Sequence, residues 1–320
     1  MAREHLILAV DLGGTKLAAG YVDDALSVLD KTVVPTDTRS SDACLAGLYG
    51  QLDELVGRNE EVDGIGVGTA SMVDFAGGRI VESTNLPLRD VPLRDRLSER
   101  YGLPVVIDND ATVACMAEHR SGAGRGSREM LMLTIGTGIG GGIVTGGHIY
   151  RGFSGAAAEL GHMVIDVDGP RCQGNCPNHG CLEAFVSGNV LAARARELAA
   201  RRGSAFGRAA AAGEQLDGEL VTRLAWAGDA EAIAVYRELG RLLGVGLTSL
   251  TNIFNPELIV VGGAVAAAGD LLLEPARRVV AARALQPQRD EVRVLPAHFA
   301  ADAGLVGAAA LALTELFETA

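Results

Sequence analysis

The sequence is poor in several residue types, and each shortage excludes a class of protein. Its 320 residues include only 10 prolines, five cysteines and two lysines, Lys16 and Lys31. With 48% hydrophobic and 21% charged residues, this composition excludes a disordered, collagen-like or disulfide-scaffold protein. A Walker P-loop needs Gly-Lys before Ser or Thr, and neither lysine stands in that context. That nucleotide-binding motif is therefore excluded.

Long hydrophobic runs are also missing. The longest apolar stretch, Leu258 to Gly269, has 12 residues, whereas a membrane-spanning helix needs roughly 18. The run from Leu6 to Val10 is too short for a signal peptide. We therefore expect a cytoplasmic protein without a membrane span. In such a reducing compartment, clustered thiols more often bind metal than form disulfides.

The chain is acidic, with a formal net charge of −12. A protein of this charge repels a phosphate backbone, and no local basic patch offsets it, so we expect no nucleic-acid partner. Its length exceeds what one ordinary hydrophobic core holds, which favours two domains.

Short apolar strands alternate with helical patterns, which favours an α/β fold. One unit, a strand followed by a glycine turn and a second strand, occurs at residues 6–22 and again at 130–145. The duplication predicts two related domains with a cleft between them. We expect a small domain over residues 1–118, on which a C-terminal helix at 303–320 packs back, and a large domain over 119–302. Helices are expected over 182–253, interrupted near 203–217.

The glycine turns at Gly13-Gly14 and Gly136 to Gly142 follow apolar strands. Glycine allows backbone amides to approach and surround an anion, so both turns are candidate phosphate sites. The second turn matches G-x-G-x-x-G, but a dinucleotide fingerprint opens a helix and this turn leads into a strand from Ile143 to Thr145. A Rossmann site is therefore excluded. The alternative is that both turns are merely tight β-turns.

Two carboxylates are candidates for chemistry. Asp110 lies just past a predicted strand, beside Asn109, where α/β proteins place ligands. It can accept a hydroxyl proton during phosphoryl transfer, and the alternative is that Asp108 or Asp110 caps the helix that follows. Asp11, in the first glycine turn, is the second candidate, and the alternative is that it only stabilises its own turn by hydrogen bonds.

Three cysteines, Cys172, Cys176 and Cys181, fall within ten residues, and His162 precedes them by ten. Three thiolates and an imidazole form a closed structural zinc site. The alternatives are free thiols, or His179 in place of one ligand. Cys44 and Cys115 stand in apolar helical contexts and are expected in the core.

Five segments together resemble the ROK family (repressors, open reading frames and kinases) of the sugar kinase/Hsp70/actin superfamily. They are Asp11 to Lys16, Asn109-Asp110, Thr134 to Gly142, Glu159-Leu160-Gly161-His162, and Cys176 to Glu183. The resemblance implies two RNase H-like, actin-like ATPase domains with an interdomain cleft. It also implies an ATP-dependent hexose kinase, most closely a glucokinase, that uses Mg²⁺ with ATP, contains structural Zn²⁺ and forms a homo-oligomer.

The resemblance also assigns roles to residues. Asp110 would be the catalytic base. The sugar would be bound by Asp110 together with Gly68, Asn85, Asn109, Glu159, His162 and Glu183. ATP would be bound by Asp11, Gly13, Gly14, Thr15, Lys16, Thr137, Gly138, Gly262 and Gly263. Zinc would be bound by His162, Cys172, Cys176 and Cys181.

The sequence departs from the family pattern at three positions. Cys172 precedes Cys176 by four residues rather than two, Pro177 replaces a glycine, and Ser71 replaces a glycine in a loop expected to line the sugar pocket. The departure at Ser71 leaves other sugars open, namely N-acetylmannosamine, N-acetylglucosamine and fructose. A sugar-responsive transcriptional regulator and a catalytically silent sugar-binding protein are further alternatives.

Overall fold

The computed structural model describes residues 5–58 and 61–318. Contacts within the chain divide it into two compact units. Unit 1 comprises Met1–Gly126, Gly142–Ala158 and Ala301–Ala320, and unit 2 comprises Ser127–Gly141 and Glu159–Ala300. The expected large domain includes residues 142–158, which the contacts group with unit 1. As functional domains, the expected boundaries 1–118 with 303–320 and 119–302 stay a prediction.

The first sheet is built around a strand that is buried on both faces. Its strands are β1 (Leu6–Leu12), β2 (Lys16–Asp23), β3 (Val28–Pro35), β4 (Gly64–Thr69) and β8 (Val105–Asn109), in the order β3-β2-β1-β4-β8. The apolar run of β1 suits a central strand, whereas β3 exposes most of its side chains and lies at the edge. Strands β1, β4 and β8 are parallel, so their carboxyl ends lie at one edge of the sheet.

Four further groups of elements complete unit 1. They are a small sheet of β5 (Met72–Asp74), β6 (Arg79–Glu82) and β7 (Arg89–Val91); the helices α1 (Ser41–Arg58), α2 (Leu93–Tyr101) and α3 (Asp110–Ser121); the short strand β11 (His148–Ile149); and the C-terminal helix described below. As expected, Cys44 in α1 and Cys115 in α3 are buried.

The second sheet repeats the plan of the first. Its strands are β9 (Met130–Ile135), β10 (Ile139–Thr145), β11, β12 (Leu258–Gly262) and β13 (Arg293–Pro296), in the order β11-β10-β9-β12-β13. In each sheet the first three strands along the chain are neighbours in order. Two later strands are then added in parallel beside the first of the three. The duplicated unit in the sequence therefore corresponds to two α/β domains of the RNase H-like, actin-like ATPase type.

The helices of unit 2 differ from the expectation in one respect. They are α4 (Gly188–Ala199), α5 (Ala205–Ala211), α6 (Gly218–Trp226), α7 (Ala230–Phe254), α8 (Asp270–Arg283) and α9 (Gln288–Glu291). The interruption expected near 203–217 is wrong in part, because it contains α5. Ser204 caps this short helix by accepting the N–H of Gly207, and Phe206 anchors it in the core.

The C-terminal segment forms the centre of unit 1. Helix α10 (Ala303–Ala312) continues as a π-helical turn, Leu313–Glu318, and packs against α3, β1 and β4. Within the described residues, Ala300–Glu318 is the one helical segment long and apolar enough to cross a membrane, and 56% of its apolar window is buried inside the protein. Its apolar character is that of a core helix.

Candidate active site and metal centre

Unit 1 brings the first glycine turn and the Asn109-Asp110 pair to the same edge of its sheet. Asp11 in β1 is paired with Gly68 in β4, and Thr69 is paired with Asn109 in β8. The carboxyl ends of these three parallel strands therefore meet at the place where α/β proteins bind ligands.

Asp11 and Asp110 lie close enough to repel each other. Burial, and secondly the charge of Asp110, raise the pKa of the Asp11 carboxyl to about 7. Asp11 also lies against the first turn of α10, where a Cβ on Gly304 would overlap its carboxyl group. A bound cation would offset this repulsion and favour the ionised form of Asp11.

Asn109, rather than Asp108 or Asp110, is the N-cap of α3. Its side-chain oxygen accepts the N–H groups of Ala111 and Thr112 at 2.9 and 3.2 Å, and its side-chain nitrogen donates to the carbonyl of Ser71 at 3.2 Å. Asp110 is the first residue of α3. The alternative that Asp108 or Asp110 caps α3 is therefore wrong, because the side chain of Asn109, between them, makes the capping hydrogen bonds.

The turn between β1 and β2 is closed by its own backbone. Gly13 donates its N–H to the carbonyl of Lys16 at 3.0 Å, and Thr36 donates its hydroxyl to the carbonyl of Gly13 at 2.7 Å. Gly14 lies against Asn85, since a Cβ there would be 2.8 Å from the Asn85 Cβ. Thr15 and Lys16 are exposed. Unit 1 thus places Asn85 beside the candidate phosphate turn.

The second glycine turn is shorter than the sequence indicates. Strand β10 begins at Ile139, so Gly136, Thr137 and Gly138 form the turn, while Gly140 to Gly142 lie in the strand. The expectation that the strand starts at Ile143 is wrong. Gly142 serves close packing instead, because a Cβ there would overlap the Cys115 side chain.

A third glycine pair lies beside this turn in unit 2. Gly262, the last residue of β12, is paired with Thr134 in β9. Gly263 has a φ of 89°, which favours glycine, and a Cβ there would overlap the Ile135 backbone. A short 3₁₀ helix, Val265–Ala268, follows before α8 begins at Asp270. Unit 2 therefore brings Thr137, Gly138, Gly262 and Gly263 to one edge.

The predicted metal ligands form one cluster in unit 2. The ligand atoms of His162, Cys172, Cys176 and Cys181 all lie within 4.8 Å of one another. Nδ1 of His162 is 3.5 Å from Sγ of Cys172, and Sγ of Cys176 is 3.9 Å from Sγ of Cys181. A tetrahedral ion with Zn–S bonds of about 2.3 Å places its sulfur ligands about 3.8 Å apart. The donor set therefore fits a four-coordinate metal.

Cys172 belongs to this cluster despite its shifted spacing. Its N–H donates to the carbonyl of Asn178 at 2.9 Å, and Arg171 forms a β-bridge with His179. This small hairpin turns the Cys172 side chain inward and leaves His179 exposed. His179 is not among the clustered ligands.

Glu183 connects the metal loop with the second glycine turn. Its Oε2 accepts the N–H of Ile139 at 2.7 Å, and a Cβ on Gly138 would overlap the same oxygen. Gly161 packs on the carbonyl of Ile139, and Nε2 of His162 lies 3.7 Å from Oε2 of Glu159. Unit 2 therefore groups Glu159, His162 and Glu183 around the start of β10.

One residue of the site went unnoticed in the sequence. Arg151 donates from Nε to Oδ2 of Asp108 at 2.7 Å, although 43 residues separate them. Asp108 in turn accepts the N–H of Asn109 through Oδ1 at 2.8 Å. Arg151 belongs to none of the motifs above. An isolated arginine in a glycine-rich loop gives no indication that it binds a buried aspartate.

Comparisons with known proteins agree with this arrangement. A sequence profile of the ROK family matches residues 7–315. The chain is 36% identical to a glucokinase of Streptomyces coelicolor over 96% of this chain and 97% of that protein. It is 32% identical to an N-acetylmannosamine kinase of Citrobacter koseri over 95% and 98%. A ROK family glucokinase of Streptomyces griseus, solved in complex with glucose and AMPPNP, superposes with a TM-score of 0.84 at 35% identity, over 96% of this chain and 98% of that one. The chain belongs to the ROK family.

Proposed function

We propose that this protein is an ATP-dependent glucokinase, which transfers the γ-phosphoryl group of ATP to the 6-hydroxyl of glucose. The observation that carries the proposal is the proximity of Asp11 and Asp110 at the carboxyl edge of the first sheet. Relatives named glucokinase, similar over nearly the full chain, support the choice of sugar.

Asp110 is the proposed general base. Its carboxylate accepts the proton of the 6-hydroxyl as that oxygen attacks the γ-phosphorus, and the bond from phosphorus to the bridging oxygen breaks to release ADP. Phosphoryl transfer needs a positioned acceptor and neutralisation of charge rather than covalent chemistry by the protein. The position of Asp110 at the start of α3, next to the Asn109 cap, holds its backbone rigidly.

Mg²⁺ fits beside Asp11, since oxygen ligands and uncompensated carboxylate charge are what this ion requires. When bound with ATP, Mg²⁺ neutralises charge on the phosphates. The backbone amides of the turns at Gly14-Thr15 and Thr137-Gly138, and the Lys16 side chain, are proposed to face the phosphates. Gly13 is proposed to close the first turn, and Gly262-Gly263 to face the adenosine part.

Gly68, Asn85, Asn109, Glu159, His162 and Glu183 are the proposed sugar-binding residues. Carboxylate, amide and imidazole groups suit a hexose because each sugar hydroxyl both donates and accepts. His162 would use Nδ1 for the metal, which leaves Nε2 on the side of Glu159. Zn²⁺ held by His162, Cys172, Cys176 and Cys181 would act structurally, by fixing a loop that has little core of its own.

The test is ADP release from MgATP with a panel of sugars, for the parent and for Asp110→Asn. We expect the parent to release ADP with glucose. Asp110→Asn should release none, while calorimetry should show that it still binds glucose. Turnover confined to an acetylated amino sugar would keep the mechanism and refute glucose. Absence of turnover on every sugar would refute the kinase and favour a binding protein or a regulator.

A kinase for another hexose is the second candidate, because of Ser71. Ser71 is buried, and its Oγ is 3.0 Å from the hydroxyl oxygen of Thr69. Its carbonyl accepts a hydrogen bond from the side-chain nitrogen of Asn109. It therefore shapes the neighbourhood of a proposed sugar ligand. Ser71→Gly in the same sugar panel measures its effect on the choice of substrate.

The enzyme is further proposed to be a cytoplasmic homo-oligomer without a nucleic-acid partner. Membership of the ROK family favours a homo-oligomer, which sedimentation of the purified chain tests. A cytoplasmic location suits the free thiols, and the net charge of −12 disfavours a nucleic-acid partner.

A further inference from the structure

A buried ion pair involves Asp108, which precedes the proposed base by two residues. The Arg151 side chain is 18% exposed and that of Asp108 is 2% exposed. Besides its bond to Asp108, Arg151 donates from Nη2 to Oε1 of Glu315 at 2.9 Å, and its guanidinium lies 3.7 Å from the centre of the Phe75 ring. One arginine thus joins the end of β8, the C-terminal helical turn and the β5–β6 hairpin.

The pair is connected to Asp110 through the backbone. Oδ1 of Asp108 accepts the N–H of Asn109 at 2.8 Å, while Oδ2 binds Arg151. Asn109 caps α3, and Asp110 begins that helix with its own Oδ1 accepting the N–H of Ala111 at 2.8 Å. The orientation of Asp108 therefore affects the peptide from which the cap and the proposed base extend.

Asp108 depends on Arg151 to remain a buried carboxylate. Burial raises the pKa of Asp108, and the charge and hydrogen bond of Arg151 oppose that rise. A buried charge without its partner is strongly unfavourable. Without the guanidinium, Asp108 would take up a proton or turn away, and either change weakens its bond to the Asn109 N–H.

We propose that Arg151 is a positioning residue for phosphoryl transfer. By holding Asp108 in its ionised orientation, it fixes the Asn109 peptide and the first turn of α3, and with them the carboxylate of Asp110. Arg151 acts through Asp108 and is not itself assigned a contact with substrate. The inference rests on the proposed function, because it takes Asp110 as the base.

The experiment compares Arg151→Met, Arg151→Lys and Asp108→Asn with Arg100→Met. Arg100 is a matched control in the same unit: it also binds an aspartate, Asp53, at 2.6 Å and lies over an aromatic ring, that of Tyr49. Arg100 contacts Asp53 and the rings of Tyr49 and Tyr101. For each full-length protein we would measure kcat, the KM values for glucose and MgATP, and amide hydrogen exchange over residues 105–116. Assays run where circular dichroism shows each variant folded.

For Arg151→Met we expect kcat to fall by about 10- to 100-fold, as a small misplacement of a catalytic group requires, with the KM for MgATP within about threefold of the parent. Arg151→Lys should recover part of kcat. Exchange of the Asn109 to Thr112 amides should accelerate in Arg151→Met and in Asp108→Asn, but not in Arg100→Met. The double variant Arg151→Met with Asp108→Asn should lose no more kcat than the more damaging single variant, because both changes break the same link.

A kcat for Arg151→Met equal to that of Arg100→Met, in an active parent that Asp110→Asn inactivates, would overturn the inference. If the parent phosphorylates no sugar, the proposed function fails. The exchange measurement then tests by itself whether Arg151 holds the first turn of α3 in place. Faster exchange would then support the link between Arg151 and α3, and unchanged exchange would overturn it.

Discussion

The carboxylate of Glu183 accepts the backbone N–H of Ile139 at 2.7 Å, across 44 residues of sequence. Glu183 stands two residues after the metal-cluster residue Cys181, and Ile139 directly follows the turn of Gly136 to Gly138. One hydrogen bond to a charged acceptor therefore ties the metal loop to the candidate phosphate turn. A residue expected to bind sugar also has a structural role within unit 2.

Replacing Glu183 should weaken this turn. A hydrogen bond to a charged group contributes about 1.5–3 kcal/mol, so Glu183→Ala should lower the free energy of unfolding by about that amount and raise the KM for MgATP. Glu183→Gln keeps an acceptor oxygen and should lose less. Urea unfolding and steady-state kinetics measure both effects. Glu197→Ala, which removes an exposed partner of Arg194, is the control; equal effects in the two Ala variants would contradict the role of Glu183.

The metal cluster predicts one bound zinc per chain. Cys172→Ser and Cys176→Ser should each lose most of the metal, because each removes one of four ligands. His179→Gln should retain it, since His179 lies outside the cluster. Elemental analysis of the purified proteins provides the measurement, and thermal unfolding after chelation should show a destabilised parent. Full zinc content in Cys172→Ser would mean that another residue completes the site.

Asp11 should make the stability of the metal-free protein depend on pH. Its pKa is raised to about 7 in the folded protein, so the folded state holds this proton more tightly than the unfolded state. The stability associated with the protonated carboxyl is therefore present below about pH 4 and is lost as the pH rises through about 7.

Asp11→Asn removes that dependence. We expect the variant to unfold at a higher temperature than the parent at pH 8, by a few degrees for each 1 kcal/mol or so gained, with the difference disappearing near pH 4. Its kinase activity should fall. Thermal unfolding in the presence of a chelator at both pH values measures this, and a difference that is the same at both values would contradict the assignment.

Two glycines of unit 1 should respond oppositely to the same substitution. A Cβ on Gly66 in β4 would overlap the carbonyl of Ala308 in α10, whereas Gly47 in α1 has open space around its Cβ position. Gly66→Ala should therefore separate the C-terminal helix from the sheet and destabilise unit 1 by several kcal/mol, in the upper range of single substitutions. Gly47→Ala should stabilise its helix by about 0.5–1 kcal/mol. Thermal unfolding of both variants checks the contrast, and a harmless Gly66→Ala would show that α10 tolerates a wider separation.

Local signals in the sequence were sufficient for much of the fold. The apolar runs and glycine turns predict the units at 6–22 and 130–145, which the structure contains as β1 and β2 and as β9 and β10. The second glycine turn, by contrast, is shorter than its glycines indicate. Gly140 to Gly142 lie in strand β10, where Gly142 packs closely against Cys115. Cys115 is distant in sequence, so no local pattern predicts this contact.

The sequence by itself determined the duplicated strand and turn units and the family motifs, because each depends on spacing over a few residues. It limited the candidate metal ligands to His162, His179 and three cysteines, and the structure selected among them. Tertiary structure alone decided that Asn109 rather than an aspartate caps α3, that Glu183 binds the Ile139 amide and that Arg151 neutralises Asp108. The latter two contacts join residues more than forty positions apart, and burial of charge selects such partners only when the packed chain has brought them together.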